Sequence, residues 1–260
     1  MKKPSFLHHE KPLLTCMVQG SEPNRIEELV GYSIPEGADA LGMQFCKLES
    51  THRTPETYKR LFASAQGRPV YVTNYRNHKN AGKSDEILAD ELVELAECGA
   101  TLCDMMGDYF DAQPGEFTTD PVAVQKQKDL ADRLHRAGAE VLISSHVHKF
   151  IPAEQVLEIA LGHQERGADI SKIVVKANTM EEQLENLRII HLLKEHLSIP
   201  FLFLCGGECH LLRRIGGELG CCMYLCVHEY DEYATRSQPL LKDMTAIRSY
   251  LTKPEGAKEA

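Results

Sequence analysis

One run of the sequence places a lysine where lysines are uncommon. Gly167-Ala168-Asp169-Ile170-Ser171-Lys172-Ile173-Val174-Val175-Lys176 reads as a helix stop followed by an apolar strand. A strand faces alternate sides with period two, so Ile170, Lys172, Val174 and Lys176 share one face. Burial disfavours the ammonium and frees the amine, which makes Lys172 a candidate for condensing with a ketone as a Schiff base. The plainer reading is a strand-end lysine whose apolar stem carries its charge to solvent.

Upstream, Ser144-Ser145-His146-Val147-His148-Lys149-Phe150-Ile151-Pro152 closes another apolar run. An imidazole titrates near neutrality, so His146 beside a buried lysine is a natural acid–base group. His146 and His148 also turn to one side of an extended chain, as in metal-dependent barrel hydrolases, with Asp104, His210 or a modified lysine as further ligands. Such a hydrolase carries its His-x-His on the first strand, where this chain offers Thr15-Cys16-Met17. Cys205-Gly206-Gly207-Glu208-Cys209-His210 has no strong metal-ligand spacing.

The elements that hold these groups repeat one pattern: a helical stretch, Gly-Ala, then an apolar strand. It occurs at Gly37-Ala38, Gly99-Ala100, Gly138-Ala139 and Gly167-Ala168. Glycine suits the left-handed residue that ends a helix, so the repeat predicts β-α units and a parallel sheet. Strands are expected over Leu13–Gln19, Ala40–Phe45, Pro69–Asn74, Thr101–Met106, Val141–Ser145, Ile170–Lys176, Phe201–Cys205 and Cys221–Val227. Helices are expected over Glu86–Glu97, Val122–Ala137, Pro152–Arg166 and Lys242–Leu251, and another opens at a capping box, Thr179-Met180-Glu181-Glu182.

Eight strands alternating with helices in 260 residues fit an α/β (β/α)8 TIM barrel spanning 1–260 as one domain, with a short polar tail over 253–260. A doubly wound sheet is the alternative, but no Gly-x-Gly-x-x-Gly follows the first strand. In a barrel the chemistry sits at the C-terminal ends of the strands. That singles out Arg76 after the third strand, Asp104 on the fourth, His146 and His148 after the fifth, Lys172 on the sixth, and Arg213 with Arg214 after the seventh.

Composition narrows the partners. The 29 basic and 38 acidic residues give a net charge of −9, which argues against nucleic acid or an anionic membrane. No run is long and apolar enough to span a bilayer, and the first residues lack a signal-peptide core. Nine cysteines without such a signal read as reduced thiols in the cytoplasm.

The segment from Ser144 to Lys172 resembles type I 3-dehydroquinate dehydratase, whose Ser-Tyr-His-Asp-Phe, Thr-Pro and Ala-Asp-Ile-x-Lys-Ile are matched by Ser144, His146, Pro152 and Ala168-Asp169-Ile170-Ser171-Lys172-Ile173. Tyr71-Val72-Thr73-Asn74-Tyr75-Arg76 is similar to the family's third strand with its arginine. Cys205-Gly206 through Arg213, then Gly216 through Cys221, follows its seventh-strand segment, and Ser237-Gln238-Pro239 is similar to its Ser-Ala-Pro loop. The resemblance implies a homodimeric barrel with no cofactor and no metal, acting as a carbon–oxygen lyase on a small-molecule ketone, 3-dehydroquinate or a relative. Lys172 and His146 would be catalytic, and Arg76, Arg213 and Ser237 would bind substrate, with Arg214 as the rival to Arg213.

The departures fall on recognition. The family's Glu-x-Arg-x-Asp reads Gly42-Met43-Gln44-Phe45-Cys46 here, its Asp-x-Glu reads Asp104-Met105-Met106, and its late glutamine aligns with Leu241. The missing glutamate leaves Asp104 or Asp108 to orient the histidine. A retained Lys–His pair in an altered shell admits a different ketone substrate for a lyase or aldolase, or a protein that only binds.

Overall fold

The computed structural model describes residues 4–251, so the polar tail expected over 253–260 lies outside them. The strands are β1 (Leu13–Val18), β2 (Ala40–Gln44), β3 (Val70–Thr73), β4 (Leu102–Met106), β5 (Glu140–His146), β6 (Ile170–Ala177), β7 (Phe201–Gly207) and β8 (Met223–Cys226). The helices are α1 (Pro23–Glu36), α2 (Pro55–Ser64), α3 (Asp85–Glu97), α4 (Pro121–Arg136), α5 (Ala153–Glu165), α6 (Met180–His196), α7 (Leu212–Leu219) and α8 (Leu241–Leu251). No described helix is long and apolar enough to cross a membrane.

All ladders are parallel, and the order β7-β6-β5-β4-β3-β2-β1-β8 brings the first strand against the last. The expected (β/α)8 barrel is therefore the fold. The β1–β8 ladder runs from Leu13↔Met223 to Cys16↔Cys226. Between β7 and β8 the join is slighter, with Cys222 N–H donating to Phe201 O at 2.9 Å.

Local chemistry explains the rhythm. The four Gly-Ala joints turn at φ of 108°, 119°, 82° and 89° for Gly37, Gly99, Gly138 and Gly167. The alanine after each is buried where the chain enters the sheet. Thr54, Ser84, Asp120 and Thr179 cap α2, α3, α4 and α6 through side-chain oxygens that accept backbone N–H groups. The Thr179 box is only half reciprocal. Thr179 accepts from Glu182 N–H, while the Glu182 carboxylate takes the N–H of Asn178 at 2.6 Å instead of that of Thr179.

Alternation along each strand makes two apolar layers. Leu14, Cys16, Val18, Leu41, Met43, Val72 and Cys103 face the helices, whereas Leu13, Ala40, Leu102, Leu142, Ile170 and Met223 belong to the layer that fills the barrel's lower half. Phe6 seals that end, edge-on to Tyr71 with ring centres 6.5 Å apart, its N–H held by Glu140 at 2.8 Å. Each Leu, Ile, Val, Met or Phe among them contributes about 1.5–3 kcal/mol by leaving water. The opposite end, where the strands finish, opens into a cavity of about 650 Å³.

Candidate active site

Lys172 projects from the middle of β6, in register with Ser144 on β5 and Leu202 on β7, and is 4% exposed. Its Nζ donates to Tyr71 OH at 3.0 Å, Tyr75 OH at 2.8 Å and Asp104 Oδ2 at 3.0 Å. An ammonium has three hydrogens, and all three find oxygen. Asp104 in turn accepts from Tyr71 OH, from Tyr75 OH at 2.6 Å and from Ser144 Oγ at 2.5 Å. Burial alone would raise the Asp104 carboxyl, but the Lys172 charge and the three hydroxyls outweigh it and hold the group below the usual carboxylate range. Burial, with the Asp104 charge behind it, pushes both phenols well above their ordinary value, so they stay protonated.

This differs from the amine expected of an apolar strand. The strand is apolar, but the Nζ meets a carboxylate delivered from β4. Lys176, the other lysine of that face, is exposed at the rim.

His146 ends β5 and lines the same cavity. Its Nδ1 lies 2.6 Å from Glu116 Oε2, and its backbone N–H donates to that oxygen at 3.1 Å. An ionised carboxylate only accepts, so a proton belongs on Nδ1 and Nε2 is the nitrogen left to exchange one. The Tyr75 ring stands edge-on to the imidazole at 5.4 Å, which brings His146 beside the group that holds Lys172. His148 is exposed, stacked on His146 at 6.1 Å.

Neither aspartate proposed to orient the histidine does so, because Asp104 is committed to Lys172 and Asp108 to Arg76. Glu116 does it from the loop between β4 and α4, at a left-handed φ of 53° that a side-chained residue seldom adopts. Its carbonyl accepts from Ser145 Oγ at 2.6 Å. A Cβ on Gly107 would sit 2.7 Å from that carbonyl, so glycine is what lets the loop come so close.

The arginines divide. Arg76 lines the cavity, yet its guanidinium is occupied by Asp85 at 2.7 Å through Nε and again through Nη2, by Asp108 Oδ1 at 2.7 Å and by Asp108 O at 2.9 Å. It ties the loops after β3 and β4 together, which runs against the substrate contact expected of it. Arg213 also lines the cavity, 6% exposed, and its Nε donates to Cys205 O at 2.7 Å. Burial brings its guanidinium down to about 10. Arg214 is exposed and donates to His210 O, so of these two neighbours Arg213 is the one that lines the cavity.

Ser237 lines the rim with Gln238, whose buried Oε1 accepts from no protein donor. A glutamine is therefore present after β8, three positions before Leu241, which is buried at the start of α8. Lys47, past the end of β2, was not singled out by motif or spacing; it is 9% exposed and donates to Gln19 Oε1 and to Tyr233 O at 2.5 Å. Burial lowers its ammonium.

Met17, Met106, Leu204 and Leu225 add apolar surface to the lining. A Cβ on Gly42 would lie 2.2 Å from Met17 Sδ, so Met17 fills the space where β2 carries no side chain. Among the described residues no three His, Cys, Asp or Glu side chains converge as a metal site would require.

A family model described as type I 3-dehydroquinase matches residues 25–252. The chain is 33% identical over 94 residues to a 3-dehydroquinate dehydratase of Alkaliphilus oremlandii (strain OhILAs), covering 35% of this chain and 37% of that protein. It is 28% identical over 152 residues to one of Clostridium kluyveri, covering 58% and 56%. The matched stretches thus span about half or less of those relatives. Among solved structures, 3-dehydroquinate dehydratase from Geobacillus kaustophilus HTA426 superposes with a TM-score of 0.77 at 17% identity, covering 93% of this chain and 91% of that one. The type I enzyme from Clostridium difficile, with covalently modified comenic acid, gives 0.76 at 15%, covering 94% and 93%. These two likenesses concern the fold.

Proposed function

The chain belongs to the type I 3-dehydroquinase family, and from that membership we propose that it is a carbon–oxygen lyase that eliminates water from 3-dehydroquinate or a related β-hydroxy ketone through an imine on Lys172. The observation that carries the reading is the meeting, in one cavity, of the buried Lys172 with a histidine whose Nε2 is free.

The chemistry follows from the contacts. Asp104, 3.0 Å from Nζ, takes a proton from the ammonium and leaves a neutral amine. That amine attacks the ketone carbon; the oxygen takes one proton from Asp104 and one from the attacking nitrogen, relayed through the Tyr75 hydroxyl, and departs as water, giving an iminium. The positive nitrogen acidifies the adjacent carbon, and His146 Nε2 removes its proton to form the enamine. The enamine electrons expel the β-hydroxyl, which takes its proton from the imidazolium and leaves as water. Hydrolysis then releases the enone and restores Lys172. Glu116 holds the imidazolium through Nδ1 while the charge resides there. Arg213 receives the substrate carboxylate, with Ser237 and Gln238 at the rim. Arg76 acts through the loops it joins.

The test is reduction by borohydride in the presence of 3-dehydroquinate. The expected result is one substrate-sized adduct on the peptide containing Lys172. An adduct on Lys176, or none, overturns the reading. We further infer that one barrel domain carries the whole site, and that the protein works as a cytoplasmic homodimer, which sedimentation at micromolar concentration tests.

A further inference from the structure

The cavity holds more positive charge than the imine chemistry uses. Of its buried cations, Lys172 is balanced by Asp104, and the half-buried Arg76 by Asp85 and Asp108. Arg213 and Lys47 have no such partner. Arg213 is held by a carbonyl, Cys205 O, and Lys47 by a side-chain amide, Gln19 Oε1, and a carbonyl, Tyr233 O. Asp231, the carboxylate whose charge reaches Lys47, is itself bound to Arg25 at 3.0 Å. A buried charge resting only on neutral oxygens is costly, and an anion relieves that cost. Burial depresses both groups, as expected of cations without a carboxylate.

Their places in the barrel differ. Arg213 follows β7, next to the strand of Lys172. Lys47 follows β2, which is four strands from β6 in a ring of eight and therefore faces it across the mouth. Beside Lys47 a further donor waits. An ammonium can only donate, so the Gln19 oxygen must be the atom facing Lys47, and the buried Gln19 Nε2 is left with no protein acceptor while its residue lines the cavity. Between the two ends lie Met17, Leu204 and Leu225.

We propose that the ligand of this cavity is a dianionic keto acid, with one anionic group on Arg213 near the imine carbon and a second, across an apolar span, on Lys47 and Gln19. This rests on the proposed imine chemistry only for the ketone; the two anion seats stand on their own. It narrows the substrate class, because 3-dehydroquinate carries a single carboxylate, which leaves one of the two cations without a counter-anion.

The experiment is titration calorimetry on the full chain with straight dicarboxylates from succinate to adipate, each against the monocarboxylate of equal carbon number. At least one dicarboxylate is expected to bind about tenfold or more tightly than its partner. Lys47→Met should reduce that ratio to under about threefold, Lys47→Arg should retain it, and Arg213→Met should weaken both members of the pair. Equal binding of the two classes at every length by the unaltered protein overturns the proposal, and so does an unchanged ratio in folded Lys47→Met. Borohydride trapping separates the two readings. Dicarboxylate preference without any ketone adduct on Lys172 removes the lyase and keeps the dianion site. Turnover of 3-dehydroquinate that dicarboxylates do not inhibit keeps the lyase and removes the dianion site.

Discussion

Lys172 Nζ and Asp104 Oδ2 lie 3.0 Å apart with side chains 5% and 0% exposed. Two opposite charges at that depth are tolerated because each completes the other's hydrogen bonds. In the proposed reaction the nucleophile is made by moving a proton within this pair.

Removing one member should cost more than removing both. Lys172→Met leaves a buried carboxylate without its cation and is expected to lower unfolding free energy by about 3–5 kcal/mol. Lys172→Met with Asp104→Asn should recover a large part of that loss, because an amide needs no counter-charge. Urea unfolding of the four proteins in the cycle measures the coupling, and additive losses would contradict it.

In the proposed reaction Glu116 acts through His146. His146→Gln should lower kcat by about 10²–10⁴-fold, the usual range for loss of a proton-transfer group. Glu116→Gln should lower kcat by about 10–100-fold, with KM changed far less, because the imidazole loses its fixed tautomer while the anion-binding groups remain. Steady-state kinetics on the substrate that labels Lys172 decides this; a rise in KM alone would make Glu116 a binding group.

His163 supplies a pH dependence of stability. It is fully buried between Ser145 Oγ and Ser171 Oγ, each 3.0 Å from a ring nitrogen. Burial, reinforced by the Arg166 charge, pushes its imidazole down from 6.5 to about 3. Between those values the unfolded chain binds a proton that the native state refuses. Stability should therefore fall as pH drops, by about 1.4 kcal/mol per pH unit from this group. The depressed Asp104 adds loss in the same sense only below its own unfolded value of 3.8. Unfolding at pH 7, 6, 5 and 4 measures the slope, which His163→Gln should flatten.

Gly42 and Met17 share one space. Gly42→Ala forces the Met17 thioether aside and should cost about 1–3 kcal/mol. In a Met17→Ala background the same change should cost little. Thermal unfolding of both pairs reports the difference, and equal costs would show that Met17 yields freely.

What the sequence revealed depends on range. The Gly-Ala joints are local signals, each ending a helix with a left-handed glycine, and they outlined the barrel with strand ends displaced and with no range given for α1, α2 or α7. Lys172 and His146 lie on adjacent strands inside a recognisable stretch, so their meeting was legible too. The partners of these residues were not. Tyr71 and Asp104 reach Lys172 from β3 and β4 through the barrel interior, and no spacing along the chain encodes that convergence. Tyr71 left a faint trace as a polar ring in the apolar run of β3. Glu116 sits in an aperiodic loop, and Lys47 follows β2 by three residues of 3₁₀ helix, where neither strand nor helix periodicity applies. Arg76 misled because a position at a strand end says nothing about which carboxylates will meet it.

The ladder order carries a consequence for how the ring is assembled. Every strand from β1 to β7 pairs with its neighbour in sequence, so most of the sheet grows by short loop closures, the kind that favour rapid folding. The β1–β8 ladder alone joins the two ends of the chain, and loop-closure entropy delays such contacts. Arg213 lies in the first turn of α7, the helix packed on both β7 and β8 where no ladder joins them. The Arg213 seat is local to β7 and α7, so what ring closure adds is the enclosed mouth across which it faces Lys47.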